Sequence, residues 1–215
     1  MEYKILGVYT GKIGLLSNNF ESAIIKHSVP VLQIRKDHID GDEVKNTLYH
    51  GGDMRVIHHY SLKNYRHLQF KFPDIKDRFV PGSFGENIVT EELSEDELFI
   101  GDIYQLGSAK VQLTVSRRPC VTLNYGYRDV RVLKEVIHTG KSGWFYRVLE
   151  EGEVKAGDTL KFIERPYPDL PVSRLFDQGY GTEKFNDFDF LKKCYDTGLM
   201  DKGWKPKIEA ALKDK

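Results

Sequence analysis

The stretch KVQLTVSRRPC (residues 110–120) joins the clearest strand pattern of the chain to one of its two cysteines. Apolar and polar residues alternate from Lys110 to Ser116, which is the period-two pattern of a strand with one buried face. Two arginines and a proline then lead to Cys120. The stretch therefore predicts a strand that ends beside a thiol and two positive charges.

Similar short strands are predicted on both sides of this one, at residues 3–10, 54–60, 102–106 and 159–164. Gly-Asp turns come before the last two of them. Two helices interrupt the strands, one starting after Ser61 and ending at Pro73, the other starting after Asp129 and ending at Gly140. Many short strands with tight turns favour a mainly β fold, a barrel or a sandwich, on which these helices pack as lids.

The pattern becomes helical after residue 165. Three short helices are predicted, at Ser173–Gln178, Asp187–Tyr195 and Asp201–Leu212. About forty residues bury too little apolar surface to be stable alone, so we expect this segment to dock on the β domain or on a partner. The predicted organisation is a β domain at 1–165 and a three-helix segment at 166–215.

Composition excludes several classes of function. Lys plus Arg and Asp plus Glu are equal at 32 each, so no overall field attracts a nucleic acid or an anionic membrane. The N-terminal residues lack the long apolar run of a signal peptide or a membrane span, and we expect a cytoplasmic protein. Cys120 and Cys194 form no CxxC pair, which indicates two free thiols rather than a disulfide scaffold or a zinc site.

Cys120 allows four interpretations. It is a small buried hydrophobe, a nucleophile, a redox thiol or a metal ligand. A nucleophile needs a base that the sequence does not identify, and Cys194 is remote in sequence for a redox partner. One thiolate holds a metal only when other ligands join it, as an organic cofactor would provide. The adjacent arginines favour the thiolate form that such ligation requires.

Two further stretches carry residues that a purely structural account does not require. HGG at 50–52, followed by Arg55, and FGENI at 84–88 both offer glycine backbone that permits close approach of a ligand. The first of these stretches extends back to Gly41 and Asp42, as GD…HGG at 41–52. Together with GD at 101–102, RRPC at 117–120, TGKSGWFYRV at 139–148 and EGEVKAGD at 151–158, these motifs resemble, in order, the MOSC domain, the molybdenum-cofactor sulfurase C-terminal type. The segment from Ser173 onward resembles the three-helix module of the bacterial YiiM-type members of that family.

The resemblance implies a β-barrel-like domain that binds the molybdenum cofactor, with Cys120 as the protein ligand to molybdenum and the catalytic residue. It also implies that the rest of the cofactor is held by residues of these motifs, here His50, Gly51, Gly52, Arg55, Phe84, Gly85, Glu86, Asn87, Arg117 and Arg118.

The activity that the resemblance implies is reduction of N-hydroxylated compounds to amines, a detoxification of hydroxylaminopurine-type base analogues, hydroxylamines and amidoximes. Electrons would come from a separate flavin, haem or iron–sulfur protein, since the chain has too few cysteines for a cluster. The partners are then a small molecule and an electron donor, with neither a nucleic acid polymer nor a membrane. A carrier that holds the cofactor or sulfane sulfur on Cys120 without turnover is the alternative, and a cofactor-free cysteine hydrolase is the third.

Overall fold

The computed structural model describes residues 1–48 and 50–213. Strands occur from Glu2 to Glu164, and helices follow from Val172. The strands are β1 (Glu2–Lys4), β2 (Gly7–Thr10), β3 (Gly14–Leu15), β4 (Glu21–Ser22), β5 (His27–Ser28), β6 (Leu32–Ile34), β7 (Ile57–Ser61), β8 (Ile88–Thr90), β9 (Ile103–Leu106), β10 (Ala109–Ser116), β11 (Trp144–Glu150), β12 (Gly152–Val154) and β13 (Thr159–Glu164). The α-helices are α1 (Leu62–Lys71), α2 (Thr122–Tyr127), α3 (Val130–Thr139), α4 (Val172–Tyr180), α5 (Phe188–Asp196) and α6 (Lys205–Lys213).

Nine strands form one sheet in the order β1-β13-β9-β10-β11-β7-β8-β2-β5. Its pairs are antiparallel except β7 with β8, which is parallel. The chain is therefore a mixed protein dominated by a sheet, with several helices. The edge strands β1 and β5 do not pair with each other within the described residues, so closure into a barrel stays a prediction.

Strand β10 lies in the middle of the sheet and confirms the strand predicted from its alternating pattern. Both of its faces are buried, however, because Gln112, with 7% of its surface exposed, and the fully covered Thr114 are buried along with the apolar residues of the other face. Gln112 Nε2 donates to the carbonyl of Gly101 at 3.0 Å, and Thr114 Oγ1 donates to that of Met54 at 2.7 Å. The expectation of one exposed face was wrong because adjoining loops cover the second face and bond its polar side chains.

Two hydrophobic clusters hold the fold together. The larger one unites the inner residues of the sheet with apolar residues of the C-terminal helices, among them Leu175, Leu191 and Ile208. Burying each such side chain contributes about 1.5–3 kcal/mol, so the helical segment docks on the sheet as expected. The smaller cluster packs α1, α2 and α3 against Tyr60 and Phe84, which confirms that the two predicted helices pack on the sheet.

The predicted N-caps of α1 and α3 are confirmed, but the predicted start of the last helix is wrong. Ser61 Oγ accepts from the Lys63 amide at 3.2 Å, and Asp129 Oδ1 accepts from the Arg131 amide at 2.8 Å. Helix α6 begins at Lys205 rather than at Asp201, since the Asp201 side chain folds the preceding residues into a turn. Helix α2, directly after Cys120, was not predicted at all.

Both cysteines are free thiols, as predicted. Cys194 is fully buried on α5, and burial raises its pKa to about 12. Cys120 is half-buried and lies elsewhere, at the end of β10. Among the described residues, no helix combines the length and the apolar content needed to cross a bilayer.

Candidate functional site

A pocket of about 620 Å³ opens next to Cys120. Its walls come from residues 19–24 and Lys26, from residues 42–48 and 50–51, and from single residues in or next to β7, β10 and β11, with Cys120, Thr122 and Phe145 among the lining residues. This volume lies within the range of about 300–1,000 Å³ typical of pockets for cofactors and drug-sized ligands.

Cys120 occupies the connection between β10 and α2. The Arg117 amide donates to the Gly143 carbonyl at 2.8 Å, which continues the pairing of β10 with β11 up to the arginines. The Leu123 amide then donates to the Cys120 carbonyl at 3.1 Å, which fixes the first turn of α2. The Cys120 thiol donates to Thr122 Oγ1 at 3.3 Å and faces the pocket. The connection is therefore ordered at both ends and presents the thiol to the cavity.

Arg117 lines the same pocket and is buried, with 9% of its surface exposed. Its Nη1 donates to the Phe84 carbonyl at 2.5 Å and its guanidinium lies 4.6 Å from the centre of the Phe84 ring. No carboxylate forms an ion pair with it within the described parts of the chain. Burial lowers the pKa of Arg117, with Cys120 among the groups that favour its charge. A buried cation of this kind is suited to binding an anion.

Lys26, Asp42 and Asn87 form a buried polar network in the pocket wall. Lys26 Nζ forms an ion pair with Asp42, and Asn87 Nδ2 donates to Asp42 Oδ2 at 2.9 Å. Asp42 Oδ1 also accepts from the Gly11 amide at 2.7 Å, and Asn87 Oδ1 accepts from the His58 amide at 3.0 Å. Burial lowers the pKa of Lys26 although Asp42 favours its charge. The network fixes the amide of Asn87 at the pocket wall.

Lys26 and His58 are pocket residues that the sequence motifs did not single out. His58 is buried and packs its ring 4.9 Å from that of Phe145. Burial, followed by the charge of Arg117, holds its pKa well below the ordinary value, so the imidazole is neutral at pH 7. Every residue of β7 is buried, so its sequence does not indicate which face His58 occupies, and Lys26 follows no pattern and reaches the site only through the fold.

Arg55 and His50 lie at another side of the pocket, on the HGG stretch. Arg55 Nε forms an ion pair at 2.5 Å with Asp201, and both side chains are nearly inaccessible to solvent. The pKa of His50 is lowered to about 4 by desolvation and by the cations Arg117, Arg55 and Lys202. His50 is therefore a neutral hydrogen-bonding group at neutral pH, beside a cationic wall.

The structure brings seven of the eleven predicted site residues to this pocket: His50, Gly51, Arg55, Gly85, Asn87, Arg117 and Cys120. The other four do not line it: Gly52, Phe84, Glu86 and Arg118.

Phe84 and Glu86 instead support the pocket loop. Phe84 stacks on Tyr60 with the ring centres 4.0 Å apart. The buried carboxylate of Glu86 accepts from the Tyr65 hydroxyl at 2.7 Å and from the Gly82 amide at 2.6 Å. These contacts fix the backbone that presents Gly85 and Asn87. Gly85 has a φ of +87° and passes close to Ile24, which suits glycine.

The described side chains offer few ligands for a metal ion. Within the described residues, no group of three or more His, Cys, Asp or Glu side chains is placed to hold a metal ion. A metal bound at Cys120 would therefore take most of its ligands from a larger cofactor. The pocket suits such a cofactor if it is anionic and contains a metal that accepts thiolate, because a half-buried thiol and a buried cation lie in the same cavity.

Comparison with known proteins identifies the family. The family model described as the MOSC domain matches residues 46–161. A protein named Reductase from Gibberella moniliformis is 38% identical over 173 residues, which are 78% of this chain but 30% of that protein. The chain thus spans about a third of that relative's length.

A second relative matches over most of its own length. Protein YiiM of Escherichia coli is 36% identical over 166 residues, 77% of this chain and 74% of YiiM. The crystal structure of YiiM from Escherichia coli has a TM-score of 0.80 with this structure at 27% identity, over 100% of this chain and 94% of that one. The chain therefore belongs to the MOSC domain family and is a protein of the YiiM type.

Proposed function

We propose that this protein is a molybdenum-cofactor-dependent oxidoreductase that reduces N-hydroxylated compounds to amines. The observation that carries the proposal is the presence of the Cys120 thiol and the buried Arg117 guanidinium in one pocket. Family membership and the reductase name of the Gibberella relative support a redox function. In this proposal residues 1–165 bind the cofactor, and residues 166–215 pack against that domain.

Cys120 is the proposed protein ligand to molybdenum, since thiolate sulfur is a soft ligand suited to such a metal. Arg117 and Arg55 offer guanidinium groups to the anionic end of the cofactor, where bidentate hydrogen bonds to phosphate are favourable. His50 adds a neutral polar contact, and Asn87 Oδ1 can accept one further hydrogen bond, since both amide hydrogens of Asn87 donate to Asp42 and to the Tyr9 carbonyl. Gly51 and Gly85 let the backbone approach the ring system closely.

When bound, the cofactor supplies the redox chemistry, in which R–NHOH, two electrons and two protons give R–NH2 and water. The protein's task is to position the substrate and to limit access of water. Phe20, Val44 and Leu48 line the outer part of the pocket and are exposed apolar side chains. Such a rim favours planar compounds, such as hydroxylaminopurine-type bases, over small polar ones. The electrons come from a separate flavin, haem or iron–sulfur protein.

The proposal is tested by replacing each cysteine in turn. The chain is expressed in cells that make molybdenum cofactor, and molybdenum content and reduction of 6-hydroxylaminopurine by a chemically reduced dye are measured. Cys120→Ala should lose bound molybdenum and at least about 100-fold in activity. Cys194→Ala removes the other thiol, which is buried away from the pocket, and should retain both.

Two results would contradict the proposal. One is a wild-type protein without molybdenum, and the other is a Cys120→Ala variant with full activity. A persulfide on Cys120, found by mass spectrometry in a protein that shows no turnover, would favour the carrier function instead.

A further inference from the structure

The turn Asp201–Trp204, between α5 and α6, contacts the pocket although it lies about eighty residues from Cys120 in sequence. Asp201 forms the buried ion pair with Arg55, a residue of the pocket wall. Lys202 Nζ donates to the carbonyl of His50 at 2.8 Å and to that of Thr47. Two consecutive residues of the turn thus bind two parts of the wall.

The other half of the turn binds the residues that lead to Cys120. The Gly203 carbonyl accepts from Arg118 Nη1 at 2.7 Å. Trp204 Nε1 donates to the carbonyl of Ser116 at 3.1 Å, and its ring is fully buried. The same four residues therefore bind both the HGG loop and the end of β10, from which Cys120 is presented.

The shape of the turn depends on Asp201. Its Oδ1 accepts from the amides of Gly203 at 2.6 Å and Trp204 at 2.9 Å, while its Oδ2 accepts from Arg55. A β-carbon at position 203 would lie 2.4 Å from Arg55 Nη2, so a side chain there would displace the arginine. One carboxylate thus shapes the turn and orients the guanidinium.

Stability alone does not account for this arrangement. Apolar residues of α4, α5 and α6 already dock the segment on the sheet. A buried ion pair gains little net stability, because desolvating both charges offsets their attraction. What the pair does provide is a fixed position for Arg55 at the pocket wall.

We propose that Asp201–Trp204 is a positioning turn for the pocket, in which Asp201 orients Arg55 and Lys202 holds the backbone at Thr47 and His50. Ligand binding in the pocket and docking of the C-terminal helices are then coupled. The inference rests on the proposed function only for the identity of the ligand.

The first test uses the protein without cofactor. Hydrogen exchange of residues 44–56 is measured in Lys202→Met and Gly203→Ala, with Lys207→Met as the matched control on an exposed lysine of α6. Lys202→Met should speed exchange of these residues about fivefold or more, because it removes the hydrogen bonds to the carbonyls of Thr47 and His50. Gly203→Ala should act in the same direction, because its methyl group displaces the Arg55 side chain. Wild-type exchange in both would overturn the proposal.

The second test measures the affinity of each variant for molybdenum cofactor. Asp201→Asn should weaken it at least about tenfold, whereas Asp196→Asn, which removes an exposed ion pair with Lys192 on α5, should not. In an Arg55→Met background, Asp201→Asn should have no further effect, since it acts through Arg55. A wild-type affinity for Asp201→Asn, or an equal loss in both backgrounds, would overturn the positioning role.

The two tests separate this inference from the proposed function. If the wild-type protein binds no molybdenum cofactor, the proposed function fails, and hydrogen exchange in the protein without cofactor still decides whether the turn holds the loop. If Asp201→Asn does not fold, Gly203→Ala provides the affinity measurement without changing any charge, and a wild-type affinity there overturns the proposal.

Discussion

Two arginines line the pocket, and their surroundings differ in one respect. Both guanidinium groups lie over aromatic rings, but Arg55 is paired with the carboxylate of Asp201, whereas Arg117 donates to a carbonyl and forms no ion pair within the described residues. Removing one member of a buried ion pair strands the other charge, while removing an unpaired buried cation also removes its desolvation cost. The stability of the unloaded protein should therefore depend on the two arginines very differently.

We expect Arg55→Met to lower the free energy of unfolding by about 3–5 kcal/mol and Arg117→Met to change it by less than about 1 kcal/mol. Chemical denaturation of the protein without cofactor measures both values. Arg117→Met should nonetheless weaken binding of molybdenum cofactor at least about tenfold, because the anion loses its buried cation. Equal destabilisation by the two substitutions would contradict the view that Arg117 has no ion-pair partner within the described residues and serves to bind an anion.

At the scale of elements, features with a local cause were predictable from the sequence. The strand at 159–164 and the helices capped by Ser61 and Asp129 lie where the pattern put them. Helix α2 was not foreseen because it has six residues, one of them Gly126, which is too short for a periodic pattern.

The site was predictable to the extent that its residues lie in short motifs. His50, Asn87 and Cys120 were found in this way, and all three line the pocket. The Lys26–Asp42 pair and the Arg55–Asp201 pair join residues 16 and 146 positions apart, with no local pattern that relates the partners. Such contacts arise from the tertiary fold, which is why the role of the turn at 201–204 became visible only in the structure.

Gly143 directly precedes strand β11 and lies close against strand β7. Gly143 has a φ of +79°, and a β-carbon there would lie 2.5 Å from the His59 carbonyl and 2.7 Å from His58 Nε2. Gly157 also has a positive φ, +97°, but a β-carbon there would meet nothing within 4 Å. The two glycines therefore share the backbone requirement and differ in the space around them.

Gly143→Ala should destabilise the protein by at least about 2 kcal/mol more than Gly157→Ala, because only the former adds overpacking to the cost of a positive φ. Thermal or chemical denaturation of both variants measures the difference. Equal losses would show that β7 and β11 can separate to admit a methyl group, and would contradict close packing of Gly143 against β7.

For the molecule as a whole, buried titratable groups link stability to pH. Burial lowers the pKa of His59 to about 3 and holds that of His58 well below its ordinary value. In the unfolded chain these histidines titrate near pH 6.5. Unfolding therefore takes up protons between about pH 6.5 and 4, so these histidines make the protein less stable as the pH falls. Glu86 and Glu95 act in the opposite direction, since burial raises their pKa and the folded protein takes up their protons first.

Single substitutions separate these opposing contributions. His59 is fully buried between Tyr146 and Thr90, and replacing it with Gln should reduce the loss of unfolding free energy on acidification by up to about 1.4 kcal/mol per pH unit. His38→Gln is the control of opposite sign, because Asp37 and then Asp40 raise the pKa of that exposed histidine. Its stabilising contribution builds up as the pH falls toward about 6.5 and is constant below that value, so the variant should lose stability more steeply only above about pH 6.5. Urea denaturation at intervals from about pH 8 to about pH 4 measures all three slopes, and an unchanged slope in His59→Gln would show that the pKa of His59 is not lowered in the folded protein.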